Sequence, residues 1–342
     1  SVDVVGMETP MVALGWRLPA KADPQYGIMS VVQQILTNGK CGLFDENLNN
    51  AQQVMQAMTF LDGMTDQSAF WAIGCPKEGQ SLEEVRDLML SQVRLLVGGE
   101  WDESLLKGIL NNMKRRQLED MQSNEMRAHR FVDAFVSGQE WADAVGEMQR
   151  LDTLTKKTVV DCARRMLTEG YGCVYKRQGT DTTAQKIDKP KISPIETNRD
   201  QVSAFVDSVL KMPVAEVEPV FVDFSREIQT GKLTGGNELI THRDINSRLF
   251  SLTFVIERGT KEDPALAIAE QYMPYLGTDS LSATELQSRL YALACDVSLS
   301  TGDGRTHLSI SGLAENMEEA LRLAEKWIGT AQPDTNVYAQ VV

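Results

Sequence analysis

Read only for apolar and polar positions, the chain spells out short strands and amphipathic helices in a recurring order. Met11–Leu18 (MVALGWRL) is apolar enough for an interior strand. Asp23-Pro24 opens a helix to Asn38, which Gly39 ends. Phe44–Asn49 reads as a short second helix. Val54–Leu61 and Ser68–Cys75 read as strands, with Asp62-Gly63 beginning the turn between them. Ser81 and Glu84 form a capping box for a helix to about Val97, with Leu82, Val85, Leu88 and Met89 on its core face and Gly98-Gly99 as its stop. Asp102 caps a long amphipathic helix to about Met121. Helices over Asn124–Ser137, Glu140–Gln149 and Thr155–Glu169 follow, and Tyr171–Lys176 closes this part as a strand.

From about Gly179 the pattern loosens. Four of the eleven prolines (Pro190, Pro194, Pro213 and Pro219) fall within a short stretch rich in Lys, Asp and Thr, the composition of a linker. It contains one amphipathic helix, about Gln201–Lys211, with Val202, Phe205, Val206 and Val209 on its apolar side; Pro213–Phe224 looks extended.

The last part repeats the order of the first. Leu249–Glu257 is a strand. Asp263-Pro264 then starts a helix on which Ala265, Ile268, Ala269 and Tyr272 share one apolar face. Ser282 with Glu285 is a capping box for the next helix. Asp296–Ser300 and Thr306–Ser311 read as strands, and Met317–Ile328 as a helix with Asn316 as its cap and Glu319 reaching back. Asp23-Pro24 returns 240 residues on, and Gly39, Leu48 and Gly74 return as Gly277, Leu286 and Gly312, each 238 on. Marks in register with a shared strand–helix–helix–strand–strand–helix order argue for an internal duplication. The fold class is therefore α+β, two-layer, each copy a mainly antiparallel sheet with its helices on one face.

The tail Met273, Tyr275, Gly277, Thr278, with the strand Phe250–Gly259 (FSLTFVIERG) before it, resembles the insulinase/pitrilysin (inverzincin) zinc peptidases. The long two-half form of Bacteroides-type bacteria looks most similar. The family's catalytic helix carries H-x-x-E-H; here the positions read Ile268-Ala269-Glu270-Gln271-Tyr272. Ile offers zinc no lone pair, Gln271 cannot take a proton from water, and Pro274 ends a helix that the catalytic form needs straight. The positions Ile268, Gln271 and Tyr272 are read as a degenerate, non-functional motif, and no catalytic or metal residue is assigned. Glu270 is read as a solvated helix residue.

The resemblance implies a metallopeptidase fold of the LuxS/mitochondrial processing peptidase type. Residues 1–178 look like a second peptidase-like domain without a metal motif, 179–230 like the linker between halves, and 231–342 like the truncated start of a third, degenerate domain. It implies a non-catalytic central part of a zinc metalloendopeptidase, shaping a peptide chamber and a hinge. Zinc is expected in the first domain of the parent chain and not here. A peptide or protein substrate and the remaining domains of the same chain are the implied partners, and the bacterial periplasm or cell envelope is the implied location. The alternative is a binding or assembly subunit of the same fold without proteolytic activity.

Composition narrows the field. A net charge of −14 with no basic stripe argues against nucleic acid, and no apolar run approaches a membrane span. The chain opens at Ser1 inside a domain and is read as a piece of a longer protein. Its five cysteines lack C-x-x-C spacing. Lys114, Arg115 and Arg116 read as a solvated helix face. His129, His242 and His307 are never paired at i, i+4, and His307 is expected to meet solvent.

Overall fold

A computed structural model describes residues 1–181, 189–195, 197–245 and 247–341. Two compact units emerge: one combines Ser1–Asp181 with Ser247–Val342, and the other is Thr182–Asn246.

The first stretch has strands β1 (Val2–Gly6), β2 (Met11–Pro19), β3 (Gln56–Asp62), β4 (Gln67–Cys75) and β5 (Gly172–Gln178). They form one sheet in the order β1-β5-β2-β4-β3, antiparallel except where β1 runs parallel to β5. Its helices are α1 (Pro24–Leu36), α2 (Leu82–Gly98), α3 (Glu103–Asp120), α4 (Asn124–Ser137), α5 (Trp141–Leu151) and α6 (Lys156–Met166), with a π-helical turn at Asp45–Asn50. Alternation along β2 turns Val12, Leu14, Trp16 and Leu18 into the helix-covered core, while Met11, Ala13 and Gly15 take the opposite face. The expected Ser81–Glu84 capping box forms reciprocally, and Gly99 ends α2 in a left-handed conformation (φ 77°). Gly74 is required where α2 crosses the sheet: a Cβ there would lie 2.5 Å from Val85 Cγ1.

The second unit carries α7 (Ala204–Leu210), the single turn α8 (Phe224–Glu227) and a hairpin of β6 (Ile228–Lys232) with β7 (Glu238–His242). That hairpin is absent from the sequence reading, and it straddles residue 231. Linker residues 182–188 and 196 lie outside the described residues.

The repeat follows as β8 (Leu249–Ile256), α9 (Ala265–Tyr272), α10 (Ala283–Ala292), β9 (Cys295–Thr301), β10 (Thr306–Leu313), α11 (Met317–Thr330) and α12 (Thr335–Val341). Its sheet order β8-β10-β9 is that of β2-β4-β3. The register is also the same. Val12 faces Gly74 and Ala57 faces Gly74; 238 residues on, Phe250 faces Gly312 and Cys295 faces Gly312. The helix entries agree: Asp23 Oδ1 accepts from the Gln25 N–H at 2.8 Å, and Asp263 Oδ1 from the Ala265 N–H at 3.2 Å. Asn316 departs from expectation. It makes no cap; its Nδ2 instead donates to the Leu293 carbonyl at 2.7 Å.

Helix α3 joins the copies. Its Asn112 Nδ2 donates to the Tyr291 carbonyl at 2.6 Å and Asn111 Nδ2 to the Ala292 carbonyl at 2.9 Å, finishing the last turn of α10. Arg115 reaches Asp296 at 2.7 Å, and Lys114 reaches Glu315 at 3.0 Å. Close approach needs Gly108, whose added Cβ would lie 3.2 Å from both Ala292 Cα and the Tyr291 ring. Lys114 and Arg115 are therefore part of this joint and not merely a solvated face.

Candidate functional site

The stretch that resembles a catalytic helix is α9. Its α-helical hydrogen bonding stops at Tyr272, and Met273–Tyr275 tightens into a 3-10 turn around Pro274. Proline supplies no N–H and crowds the preceding turn, which accounts for the change. The four residues expected on one buried face are not all buried. Ala265 is exposed, and Ile268, Ala269 and Tyr272 are only half-buried.

The three motif positions point to separate tasks. Ile268 lies half-buried and Gln271 is exposed. The Tyr272 hydroxyl is committed to main chain, donating to the Asp334 carbonyl at 2.6 Å and accepting from the Asp334 N–H at 2.5 Å. Its ring meets that of Tyr338 on α12 edge-on, with centroids 5.6 Å apart. Tyr272 therefore ties α9 to the segment ending the repeat. Glu270 is not simply solvated: it is half-buried, and its Oε2 accepts from the Thr301 N–H at 2.8 Å, pinning α9 to the end of β9. Among the described residues no cluster of three or more His, Cys, Asp or Glu could hold a metal.

The histidines are scattered. His129 lies 3.7 Å from Glu125 on α4, His242 Nδ1 lies 3.1 Å from the Glu227 carbonyl oxygen, and His307 is half-buried on β10 where exposure was expected. The cysteines are all free, and burial raises the Cys41 thiol to about 12 and Cys295 to about 11. Such thiols stay protonated near neutral pH, the opposite of an activated nucleophile.

A second feature is the helix-free face of the five-stranded sheet. Trp71 lies across the β2 backbone, where a Cβ on Gly15 would come within 2.9 Å of its ring. Phe60 stacks beside it at 6.4 Å, and Met58 and Phe60 are 38% and 41% exposed. Among the described residues of its own unit, this is an apolar shelf without covering helices. The sequence reading gave strands at Val54–Leu61 and Ser68–Cys75, yet it could not say which alternate set would remain open.

Residues 1–113 match the family described as the Peptidase M16 inactive domain. Over its first third the chain is therefore similar to an M16 peptidase inactive domain. Over 99% of its length this chain is similar to the crystal structure of pitrilysin, at 12% identity and a TM-score of 0.55, covering 38% of pitrilysin. That likeness shows the α+β fold. A protease from Helicobacter pylori is 19% identical over 52% of this chain and 43% of its own, with a TM-score of 0.49. The periplasmic protease PqqL from Escherichia coli is 13% identical over 99% of this chain and 41% of its own, with a TM-score of 0.41. The chain thus spans about two-fifths of the length of these proteins. No curated protein matches it. No helix of the described residues is long and apolar enough to cross a membrane.

Proposed function

We propose that this chain is the non-catalytic central part of a zinc metalloendopeptidase, with residues 1–178 as its second domain, 179–230 as its linker and 231–342 as the start of its third. Its work is architectural: it walls a chamber for peptides and holds two halves of the parent protein in register. The observation carrying this reading is the fate of Tyr272. A zinc ligand at that position must turn lone pairs into open space, whereas this hydroxyl spends its bonding capacity on the Asp334 main chain. The apolar shelf around Phe60 and Trp71 supports a role in lining a peptide-holding space. Zinc and the catalytic base belong, on this reading, to an earlier domain of the parent chain, in a bacterial periplasm or cell envelope.

The test uses the parent protein. Its hydrolysis of a fluorogenic peptide is expected to be abolished by chelator and restored by zinc, while Gln271→Ala leaves the rate within about twofold, because no reacting group is removed. A parent protein with no chelator-sensitive hydrolysis would instead favour an assembly subunit. Loss of rate in Gln271→Ala would place chemistry in this segment after all.

A further inference from the structure

Edge strands present a row of main-chain donors and acceptors with no partner in their own sheet, and the two repeats treat that row differently. In β3 the outward groups belong to alternate residues, among them Ala57 and Thr59. Asn49 satisfies both groups of Ala57: Oδ1 accepts from its N–H at 2.8 Å and Nδ2 donates to its carbonyl at 2.9 Å. Gln33 Nε2 donates to the Thr59 carbonyl at 2.9 Å. Side chains thus occupy the β3 edge at Ala57 and at the Thr59 carbonyl.

In β9 the positions in the same register are Cys295, Val297 and Leu299. The residue standing 238 after Asn49 is Gln287, and its carboxamide oxygen faces Lys40 Nζ at 3.5 Å instead of the strand. Glu270 occupies only the far end, at the Thr301 N–H. Among the described residues, nothing outside the sheet bonds the outward main chain of Val297 or Leu299. The edge is open over two residues and stopped at one end.

Beside Val297 is a cavity of about 180 Å³ whose lining includes Lys40, Arg116, Gln287, Tyr291 and Asp296. Asp296 is already paired with Arg115 at 2.7 Å, which leaves Arg116 without an ion pair among the described residues. The cavity therefore offers two cationic side chains next to an unfilled strand edge.

We propose that the β9 edge at Val297–Leu299 docks an extended peptide as a further strand, with an acidic side chain of that peptide seated between Lys40 and Arg116. Main-chain bonds to β9 would supply affinity, and the cavity would supply preference for the acidic residue. The proposal rests on the chamber reading only for the source of the peptide. Binding is measured without turnover, so failure of that reading would leave this result unchanged.

The experiment titrates the 342-residue chain into fluorescein-labelled Thr-Val-Glu-Val-Thr-amide and reads fluorescence polarisation. Saturable binding is expected, weakened about tenfold or more when alternate peptide nitrogens are methylated, since the methylated strand cannot donate to β9. Replacing Glu by Gln in the peptide should weaken binding several-fold in the unaltered protein and have no effect in Arg116→Ala. Leu299→Pro, which removes an outward N–H without touching the β10 ladder, should match the methylated peptide. Binding that survives methylation of each alternate set in turn, equal binding of the Glu and Gln peptides, or no saturation by millimolar protein would overturn the proposal. The methylated peptides decide the matter even if Leu299→Pro does not fold.

Discussion

The Asn49 carboxamide holds both main-chain groups of Ala57, accepting from its N–H at 2.8 Å and donating to its carbonyl at 2.9 Å. Ala57 is buried, so these groups would otherwise meet little water. Asn49→Ala should cost about 1–2 kcal/mol in urea unfolding and raise self-association in light scattering, because an open edge is a template for pairing. A variant as stable and as monodisperse as the parent would show that the edge needs no such cover.

Zinc should find no tight site in this chain. With Ile268 at one ligand position and the Tyr272 hydroxyl engaged by Asp334, no preformed donor set exists at α9. Metal analysis of dialysed protein is expected to return much less than one zinc per chain; stoichiometric zinc would refute this.

Restoring the motif with Ile268→His, Gln271→Glu and Tyr272→His should yield a less stable protein and no peptidase. The Tyr272 change alone removes two hydrogen bonds to Asp334 and the edge-on contact with Tyr338. Because the site is half-buried, the loss should be about 1–3 kcal/mol, read from a denaturant midpoint. Unchanged stability with micromolar zinc affinity would contradict it.

Alkaline pH should destabilise the fold. Burial raises Cys41 to about 12 and Cys295 to about 11, above an unfolded value of 9.0. A raised folded value means the native state holds the proton more tightly. The contribution is complete below pH 9 and fades as pH climbs towards 11–12. The urea midpoint should therefore fall across that window, and less so in Cys41→Ser. Rapid alkylation of both thiols at pH 8 in native protein would speak against such burial.

Most of the fold was legible because its signals are local. The Ser81–Glu84 and Ser282–Glu285 boxes, the Asp23 and Asp263 entries and the apolar strand at Met11–Leu18 are all decided within a few residues, and all formed. What escaped is non-local. β1 is held by pairing with β5, more than 160 residues away in sequence, and its own residues are mostly exposed. Asn316 looked like a cap, but a carbonyl from the end of α10 lay nearer its amide. That residues 268–272 do not spell H-x-x-E-H could be read from residue types alone. The work given to Glu270, and the covering of Ala57 on one edge but not of its counterpart, depended on which strand end each carboxylate or carboxamide would meet.

The seating of α10 against α3 has a further, electrical consequence. Aligned peptide dipoles leave the end of α10 partially negative, and Arg115 places a guanidinium there while also holding Asp296 at 2.7 Å. One repeat thus neutralises the helix end of the other. The joint between them carries an attraction that dissolved ions screen, so the mutual orientation of the repeats should loosen with rising ionic strength even where their separate cores do not.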